Sequence, residues 1–384
     1  MGAVIVEAVR TPVGKRNGGL SGVHPVDLSA AVLAALVERA GVEPGLIDDV
    51  VWGCVGQVGE QAYDIARAAV LAAGWPESVP GVTVDRQCGS SQQSLNFAVA
   101  SVVAGHCDAV VAGGVESMSR VTMGLASTIG GSPFSPRFLD RYHVGPSQGV
   151  GAEMMAEKWS LSRAELDAFA ARSHERAAAA QDSGLFRDQT VPITTPEGAV
   201  ISQDEGIRRG TTVERLAELK TVFKADGVIH AGNASQISDG AAALLVVSDE
   251  FAARHDLTPL ARVHTAVLAG SDPVIMLDAP IPATEKALRK SGLSIGEIGV
   301  FEVNEAFAPV PMAWQREFGV DDAVLNPNGG AIALGHPLGG SGARILTDMI
   351  FHMRRNDIRY GLQTMCEGGG QANATILELL ATSR

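Results

Sequence analysis

The chain has 384 residues, 46% hydrophobic and 19% charged, so it can bury a large core and has length for two or three domains. A net charge of −13 argues against a nucleic-acid-binding surface. The four cysteines (Cys54, Cys88, Cys107 and Cys366) show neither a CxxC pair nor metal-ligand spacing, which argues against a disulfide framework and suits a reducing, cytoplasmic compartment.

The N-terminal segment lacks the charged-then-apolar pattern of a secretion signal, and no apolar run reaches about 18 residues, so no membrane insertion is expected. Ala3-Val4-Ile5-Val6 reads as a short strand and Arg10 to Lys15 as a turn. Pro25 and Asp27 open an amphipathic helix that runs to about Ala40. A strand is expected from Ile47 to Gly53 and a helix from Asp64 to Ala73.

Gly81-Val82-Thr83-Val84 reads as a buried strand that leads through a polar turn to Cys88. Ser91 to Val103 then has helical spacing, with Leu95, Val99, Val102 and Val103 on its apolar side. That order puts Cys88 at or just before a helix N-terminus, where unpaired N–H groups and the helix dipole favour an anion. A thiol so placed is expected to have a depressed pKa and to serve as a nucleophile. The alternative, a buried structural cysteine, stays open on this stretch alone.

Asp108 to Gly114 is another buried strand. From Glu116 to Asn233 the pattern loosens into loops (Gly130 to Pro133, Gly145 to Ser147), helices (Ala152 to Trp159, Arg163 to Ser183) and a turn-rich stretch from Gln203 to Arg215. Ser162-Arg163-Ala164-Glu165 carries a capping-box signature. The stretch reads as an insertion above an α/β body, with Met123 to Gln148 as a lid.

Asp239 to Val247 is a buried strand that completes the first half. Alternation then restarts with strand Arg262 to Val267, helix Ile281 to Ser291, strand Gly299 to Val303 and helix Ala306 to Phe318. Val324-Leu325-Asn326 leads to a glycine-rich turn, a helix from Ser341 to Met353, a strand from Tyr360 to Met365 and a last strand from Ala372 to Leu379. The alternation implies an α/β fold with covered sheets. The halves repeat one another in order: strand, turn, Cys88 and helix in the first; strand, turn, His336 and helix in the second.

Three stretches of the second half carry chemistry. Asn304-Glu305-Ala306-Phe307 follows a buried strand, Gly329-Gly330-Ala331-Ile332-Ala333-Leu334-Gly335-His336-Pro337 puts a histidine on a glycine-rich turn, and Cys366-Glu367-Gly368-Gly369-Gly370 ends a strand at a cysteine. Two cysteines, a histidine and an asparagine at strand ends or helix starts form a set that chance seldom supplies. With Cys88 in its place, these motifs resemble the thiolase family over essentially the whole chain.

The resemblance implies a thiolase fold: two similar βαβαβαββ halves in a five-layered αβαβα arrangement with an inserted loop domain. The halves would span 1–118 plus 237–259, and 260–384, with the loop domain at 119–236. It implies acyl-CoA and CoA as partners, coenzyme A as co-substrate rather than a permanently bound cofactor, no metal, and a homodimer or homotetramer. On matching positions, Cys88 would take up the acyl group, His336 would activate it, and Cys366 would be the second acid/base. Asn304 would hold a water in one oxyanion hole, and the Cys88 and Gly368 N–H groups would form the other. Ala234 and Ser235 would contact pantetheine, Ala306 and Phe307 would line its tunnel, and Phe223 and Arg208 would lie near the adenine and phosphate end.

The roles agree with the chemistry. Claisen cleavage needs a soft nucleophile that also leaves well, a base within reach, and donors aimed at the oxyanions. Three departures from the family's usual pattern stand out: Ser147-Gln148 in the loop domain, Gly89-Ser90-Ser91 after the nucleophile, and Glu367 after the second cysteine. The first argues against a dedicated acetoacetyl-specific role, and Gln87-Cys88-Gly89-Ser90-Ser91-Gln92-Gln93 with Cys366-Glu367-Gly368-Gly369-Gly370 resembles actinobacterial degradative members, some linked to steroid breakdown. A ketoacyl-synthase-like condensing enzyme, a papain-like protease and a non-catalytic acyl-CoA-binding protein are the rival readings; Cys366 argues against the first, and the complete residue set against the last.

Overall fold

The computed structural model describes residues 2–143 and 145–380; the outermost limits expected for the two halves, residues 1 and 384, lie outside them. The first half runs β1 (Ala3–Arg10), β2 (Gly14–Lys15), α1 (Pro25–Ala40), β3 (Asp49–Gly53), α2 (Ile65–Ala72), β4 (Val82–Val84), α3 (Ser90–Val103) and β5 (Ala109–Ser117). An excursion follows with α4 (Pro136–Tyr142), α5 (Gln148–Lys158), α6 (Arg163–Asp182), the hairpin β6 (Ile193–Thr194) and β7 (Val200–Ile201), and α7 (Val213–Ala217). The chain returns through β8 (Ser238–Ser248) and α8 (Asp249–Arg254). The second half runs β9 (Ala261–Gly270), α9 (Pro280–Ser291), β10 (Val300–Val303), α10 (Pro309–Phe318), α11 (Ala331–Leu334), α12 (Leu338–Asn356), β11 (Tyr360–Glu367) and β12 (Gln371–Leu379).

Local chemistry sets these limits. Helix α1 starts with Pro25 in its first turn, carries Asp27 there, and stops at Gly41 in the left-handed conformation. Helix α6 starts on the expected capping box, with Ser162 accepting from the Glu165 N–H and Glu165 reaching back to the Ser162 backbone. Such a cap stabilises a helix by about 1 kcal/mol.

The strands form one hydrogen-bonded sheet in the order β10-β11-β12-β9-β1-β8-β5-β3-β4, with β2 beside β8. The repeat is explicit in the pairing. In the first half β1–β8 and β8–β5 are antiparallel, while β5–β3 and β3–β4 are parallel. In the second, β9–β12 and β12–β11 are antiparallel and β11–β10 is parallel. Leu325 then pairs parallel with Phe301, in the place that β4 takes in the first half. The halves join where Ile5 of β1 faces Ala261 of β9.

Five layers result. Leu95 and Ala98 of α3 and Ala343 and Met349 of α12 share a core with Leu244 of one half and Val300 of the other. Helices α3 and α12 are thus the middle layer. Helices α1 and α2 cover the first half of the sheet with Trp52 and Val111. Helices α9 and α10 cover the second with Phe301 and Ile376. The two middle helices nearly touch: a Cβ at Gly342 would overlap the backbone of Gln92. Both helix starts are therefore held together at one end of the sheet.

The structure departs from the sequence reading in detail. Helix α10 begins at Pro309 rather than Ala306, because Phe307 pairs with Ala234 and its neighbour Ala306 accepts from the Ser235 N–H at 2.9 Å. Helix α12 begins at Leu338, before the expected Ser341, since burial of the whole segment overrides the poor helix propensity of Gly339, Gly340 and Gly342. The glycine-rich turn before His336 contains the short helix α11, too brief to show a period. Among the described residues no helix is long and apolar enough to cross a membrane, and no group of three or more His, Cys, Asp or Glu side chains could hold a metal ion.

Candidate active site

Cys88 lies in the turn between β4 and α3, immediately before the N-cap Gly89. Its predecessor Gln87 is left-handed at φ +49°, a costly conformation for a residue with a side chain. The turn holds it there: the Gln87 N–H donates to Asp85 Oδ1 at 2.7 Å, and the Ser90 hydroxyl donates to the Gln87 carbonyl at 2.6 Å. Cys88 is 5% exposed. The helix start does not lower its pKa as the sequence suggested. Burial, and then the Glu367 carboxyl, push the thiol up to about 12. The thiol is therefore protonated at neutral pH, and a base would have to take its proton for it to act as a nucleophile.

His336 ends the segment after α11. The left-handed Gly335 (φ +102°) turns the chain, and the His336 N–H donates to Ser238 Oγ at 3.1 Å. The Ser341 hydroxyl donates to the Pro337 carbonyl at 2.8 Å, so at its 2.6 Å contact with His336 Nδ1 it accepts. That fixes the tautomer: the proton is on Nδ1, and Nε2 carries the free lone pair. Burial, and then Arg344, lower the His336 pKa to about 3, so the ring is neutral. Asn304 Nδ2 is 3.4 Å from Nε2, and Asn304 Oδ1 is buried without a partner among the described residues.

Cys366 is near the end of β11 and 1% exposed. Burial raises its thiol well above the ordinary range, with Cys88 and then Glu367 adding to the shift. Cys88 packs with Leu338, two residues past His336, and with Met365, the residue before Cys366. Gly368 follows β11 and faces the Gln87 side chain. Thus Cys88, His336, Asn304, Cys366 and Gly368 converge where the middle helices begin.

A cavity of about 840 Å³ opens over Cys88. Cys88, Met118, Leu338 and Gly368 line it from the sheet body; Phe223 and Phe307 line it from the side, ring centroids 6.0 Å apart. Met123, Phe134 and Phe138 of the excursion also line it. Ala234, Ser235 and Ala306 stand behind Phe307 through the backbone pairing described above. Arg208 is not on the cavity wall; it is exposed, and its N–H donates to His174 Nδ1 at 3.1 Å.

Two buried carboxylates that the sequence reading gave no role hold the site's backbone. Glu116 accepts from the N–H groups of Val55, Gly56 and Gly339, which ties the start of α12 to β5. Glu305 accepts from Ser173 Oγ, Asn326 Nδ2 and the Ile332 N–H, which ties α11 to β10. Ser341 was also missed. Their sequence signal was only a polar residue inside a buried apolar run.

Residues 3–250 match the thiolase N-terminal domain and residues 257–379 the thiolase C-terminal domain. The chain belongs to the thiolase family. It is 49% identical to the steroid 3-ketoacyl-CoA thiolase FadA6 of Mycobacterium tuberculosis, over 98% of this chain and 94% of that protein. It is 45% identical to a beta-ketoadipyl-CoA thiolase of Escherichia coli, over 98% of this chain and 99% of that one. The crystal structure of the Bacillus anthracis acetyl-CoA acetyltransferase superposes with a TM-score of 0.92 at 39% identity, covering 99% of each chain. This thiolase is an acyltransferase: it cleaves 3-oxoacyl-CoA with free CoA or forms it by the reverse condensation.

Proposed function

We propose that this thiolase cleaves bulky, apolar, uncharged 3-oxoacyl-CoA thioesters through an acyl-Cys88 intermediate. His336 Nε2 takes the Cys88 proton, and the thiolate attacks the 3-oxo carbon. Asn304 and the backbone N–H groups of Cys88 and Gly368 stabilise the oxyanions, where each donor is worth roughly 3–4 kcal/mol. The bond between C2 and C3 breaks, and Cys366 protonates the departing carbanion to give acetyl-CoA. The thiolate of a second CoA then attacks the acyl-Cys88 thioester and carries away the shortened acyl group. CoA is the co-substrate, and the steps draw on these side chains and no further cofactor.

The observation that carries this reading is the contact of His336 Nδ1 with the Ser341 hydroxyl. Ser341 and Pro337 leave Nε2 as the free base, in the buried cluster that also holds a protonated Cys88 and Cys366. The substrate class follows from the cavity. Beside the part assigned to pantetheine, its mainly apolar wall, with Met, Phe, Val and Leu side chains, suits a ring-bearing or branched acyl group. Among the described lining residues there is no Arg, Lys or His, whereas Asp85 and Glu116 are present. A terminal carboxylate on the acyl group, as in a beta-ketoadipyl chain, would find no cation there.

The pantetheine arm is assigned to the side walled by Phe223 and Phe307, backed by Ala234, Ser235 and Ala306; Arg208 is left to the outer, phosphate end. The exposed apolar side chains of β4 and α3 (Val82, Phe97 and Val103) support a homo-oligomer formed across that sheet edge. All four cysteines are free thiols, which suits a reducing cytoplasm.

The test separates acyl transfer from carbon–carbon cleavage. Cys366→Ala should still exchange acetyl groups between acetyl-CoA and labelled CoA, yet lose cleavage of 3-oxoacyl-CoA by at least about 100-fold. Cys88→Ala should lose both. Exchange surviving in Cys88→Ala would overturn the assignment of the nucleophile. In a substrate panel, preference for 3-oxoadipyl-CoA over uncharged thioesters would overturn the substrate class.

A further inference from the structure

Glu367 presents a chemical problem that the mechanism leaves unsolved. It is 0% exposed, and neither carboxylate oxygen accepts a hydrogen bond of ordinary geometry among the described residues; the Asn373 backbone N–H is the nearby donor that acts on it. Glu116 and Glu305, buried in the same region, each accept from at least three donors. A bare carboxylate in such a place is strongly disfavoured. A second orphan lies beside it: Asn373 Oδ1 is buried with no donor either. Both oxygens border the space left by the missing side chain of Gly89, because a Cβ there would overlap Glu367 Oε1 and Asn373 Oδ1. At the other end of the amide, Asn373 Nδ2 lies 3.5 Å from the Gly89 carbonyl, at the long limit of a hydrogen bond. Two unsatisfied acceptors thus border one space, and one proton shared between them would satisfy both.

We propose that Glu367 is a protonated positioning residue: its carboxylic O–H donates to Asn373 Oδ1, Asn373 Nδ2 holds the Gly89 carbonyl, and this chain fixes the Cys88 turn without a negative charge beside the two thiols. The proposal goes beyond the catalytic roles assigned above and adds no chemical step. It explains two sequence departures at once. The residue after the nucleophile is glycine because the Glu367 carboxyl occupies the space of its side chain.

The charges that face Glu367 agree. Burial raises its pKa to about 8; Arg86 and the Asn373 backbone N–H oppose the rise, and Asp85 adds to it. Glu367 in turn raises both Cys88 and Cys366, and Glu116 and Asp85 act on Cys88 in the same direction. An ionised Glu367 therefore works against thiolate formation, and a protonated one does not. The bound proton keeps Cys88 competent up to about pH 8.

The experiment compares the wild type with Glu367→Gln, whose amide N–H keeps the donor, and Glu367→Ala, which removes it. The infrared difference spectrum between wild type and Glu367→Gln at pH 7 should show the C=O band of a protonated carboxyl. The rate of Cys88 alkylation by iodoacetamide, followed by mass spectrometry of its peptide, should bend in the wild type near pH 8. In Glu367→Gln it should keep rising through that pH, several-fold above wild type at the alkaline end. Glu367→Ala should lose cleavage activity that Glu367→Gln retains. Carboxylate bands in place of the acid band, or superimposable alkylation profiles, overturn the proposal. The infrared result does not depend on Cys88 being the nucleophile, so failure of that assignment and failure of this proposal are told apart.

Discussion

The Ser341 hydroxyl accepts from His336 Nδ1 at 2.6 Å while it donates to the Pro337 carbonyl at 2.8 Å. One hydroxyl, one helical turn into α12, therefore decides which ring nitrogen of His336 is left free. Ser341→Ala should lower kcat about tenfold, the worth of one lost hydrogen bond of about 1–1.5 kcal/mol, with KM little changed. Ser341→Thr keeps the hydroxyl and should recover most of the rate. Steady-state kinetics of the two variants check this; equal losses in both would show that packing, not the hydrogen bond, matters.

Phe138 lines the cavity from α4, its ring centroid 5.1 Å from Phe134 and 4.9 Å from Tyr142. Phe134 and Phe138 of this short aromatic row line the cavity, and on the proposed function a long or ring-bearing acyl group would extend toward them. Phe138→Trp should lower kcat/KM for bulky thioesters by about tenfold, on the scale of a few methylene groups of lost space. Acetoacetyl-CoA, which does not reach the wall, should be cleaved at the wild-type rate. A uniform drop across the substrate panel would place Phe138 outside the acyl pocket.

Much of this site was legible before the structure because its residues sit at element boundaries. The β4–turn–α3 and β11–glycine sequences switch period abruptly, and Cys88 and Cys366 stand at those switches. The repeat was legible for the same reason, down to the Val324-Leu325-Asn326 segment, where Leu325 pairs with Phe301. Other features were not, since they depend on contacts between distant segments. Ser341 lies inside what reads as a helix. The depressed Cys88 pKa inferred from the helix start was reversed first by burial and then by Glu367, both set by segments far away in sequence. Helices α4, α7, α8 and α11 escaped notice because four to seven residues hold too little of a 3.6-residue period.

Two buried histidines predict how stability depends on acid. His336 and His174 have pKa values lowered from 6.5 to about 3 and about 4, in each case first by burial and then by a nearby arginine. Unfolding releases them to bind protons, so their contribution is complete above pH 6.5 and declines as pH falls toward those values. Glu367 has the opposite sign: its pKa is raised, so its contribution is full below pH 4.5 and is lost as pH rises through about 8. Melting temperature measured against pH should fall on both sides of neutrality. His174→Gln should flatten the acid side, where one such group is worth on the order of 3 kcal/mol in full. An acid limb unchanged by His174→Gln would assign the loss to other groups.

The Glu367 carboxyl fills the space that a side chain at Gly89 would need, so the two positions should be energetically coupled. Gly89→Ala alone forces the new Cβ against Glu367 and Asn373 and should cost about 1–3 kcal/mol, the usual penalty for overfilling a packed core. Glu367→Ala alone opens a cavity and leaves Asn373 Oδ1 without its partner, at a similar cost. The double variant has room for the new methyl group and should lose less than the sum of the singles, by roughly 0.5–3 kcal/mol. Urea unfolding midpoints of the four proteins measure this cycle directly. Strict additivity would mean that residue 89 and residue 367 do not share the space, and that glycine after the nucleophile answers to some other demand of the turn.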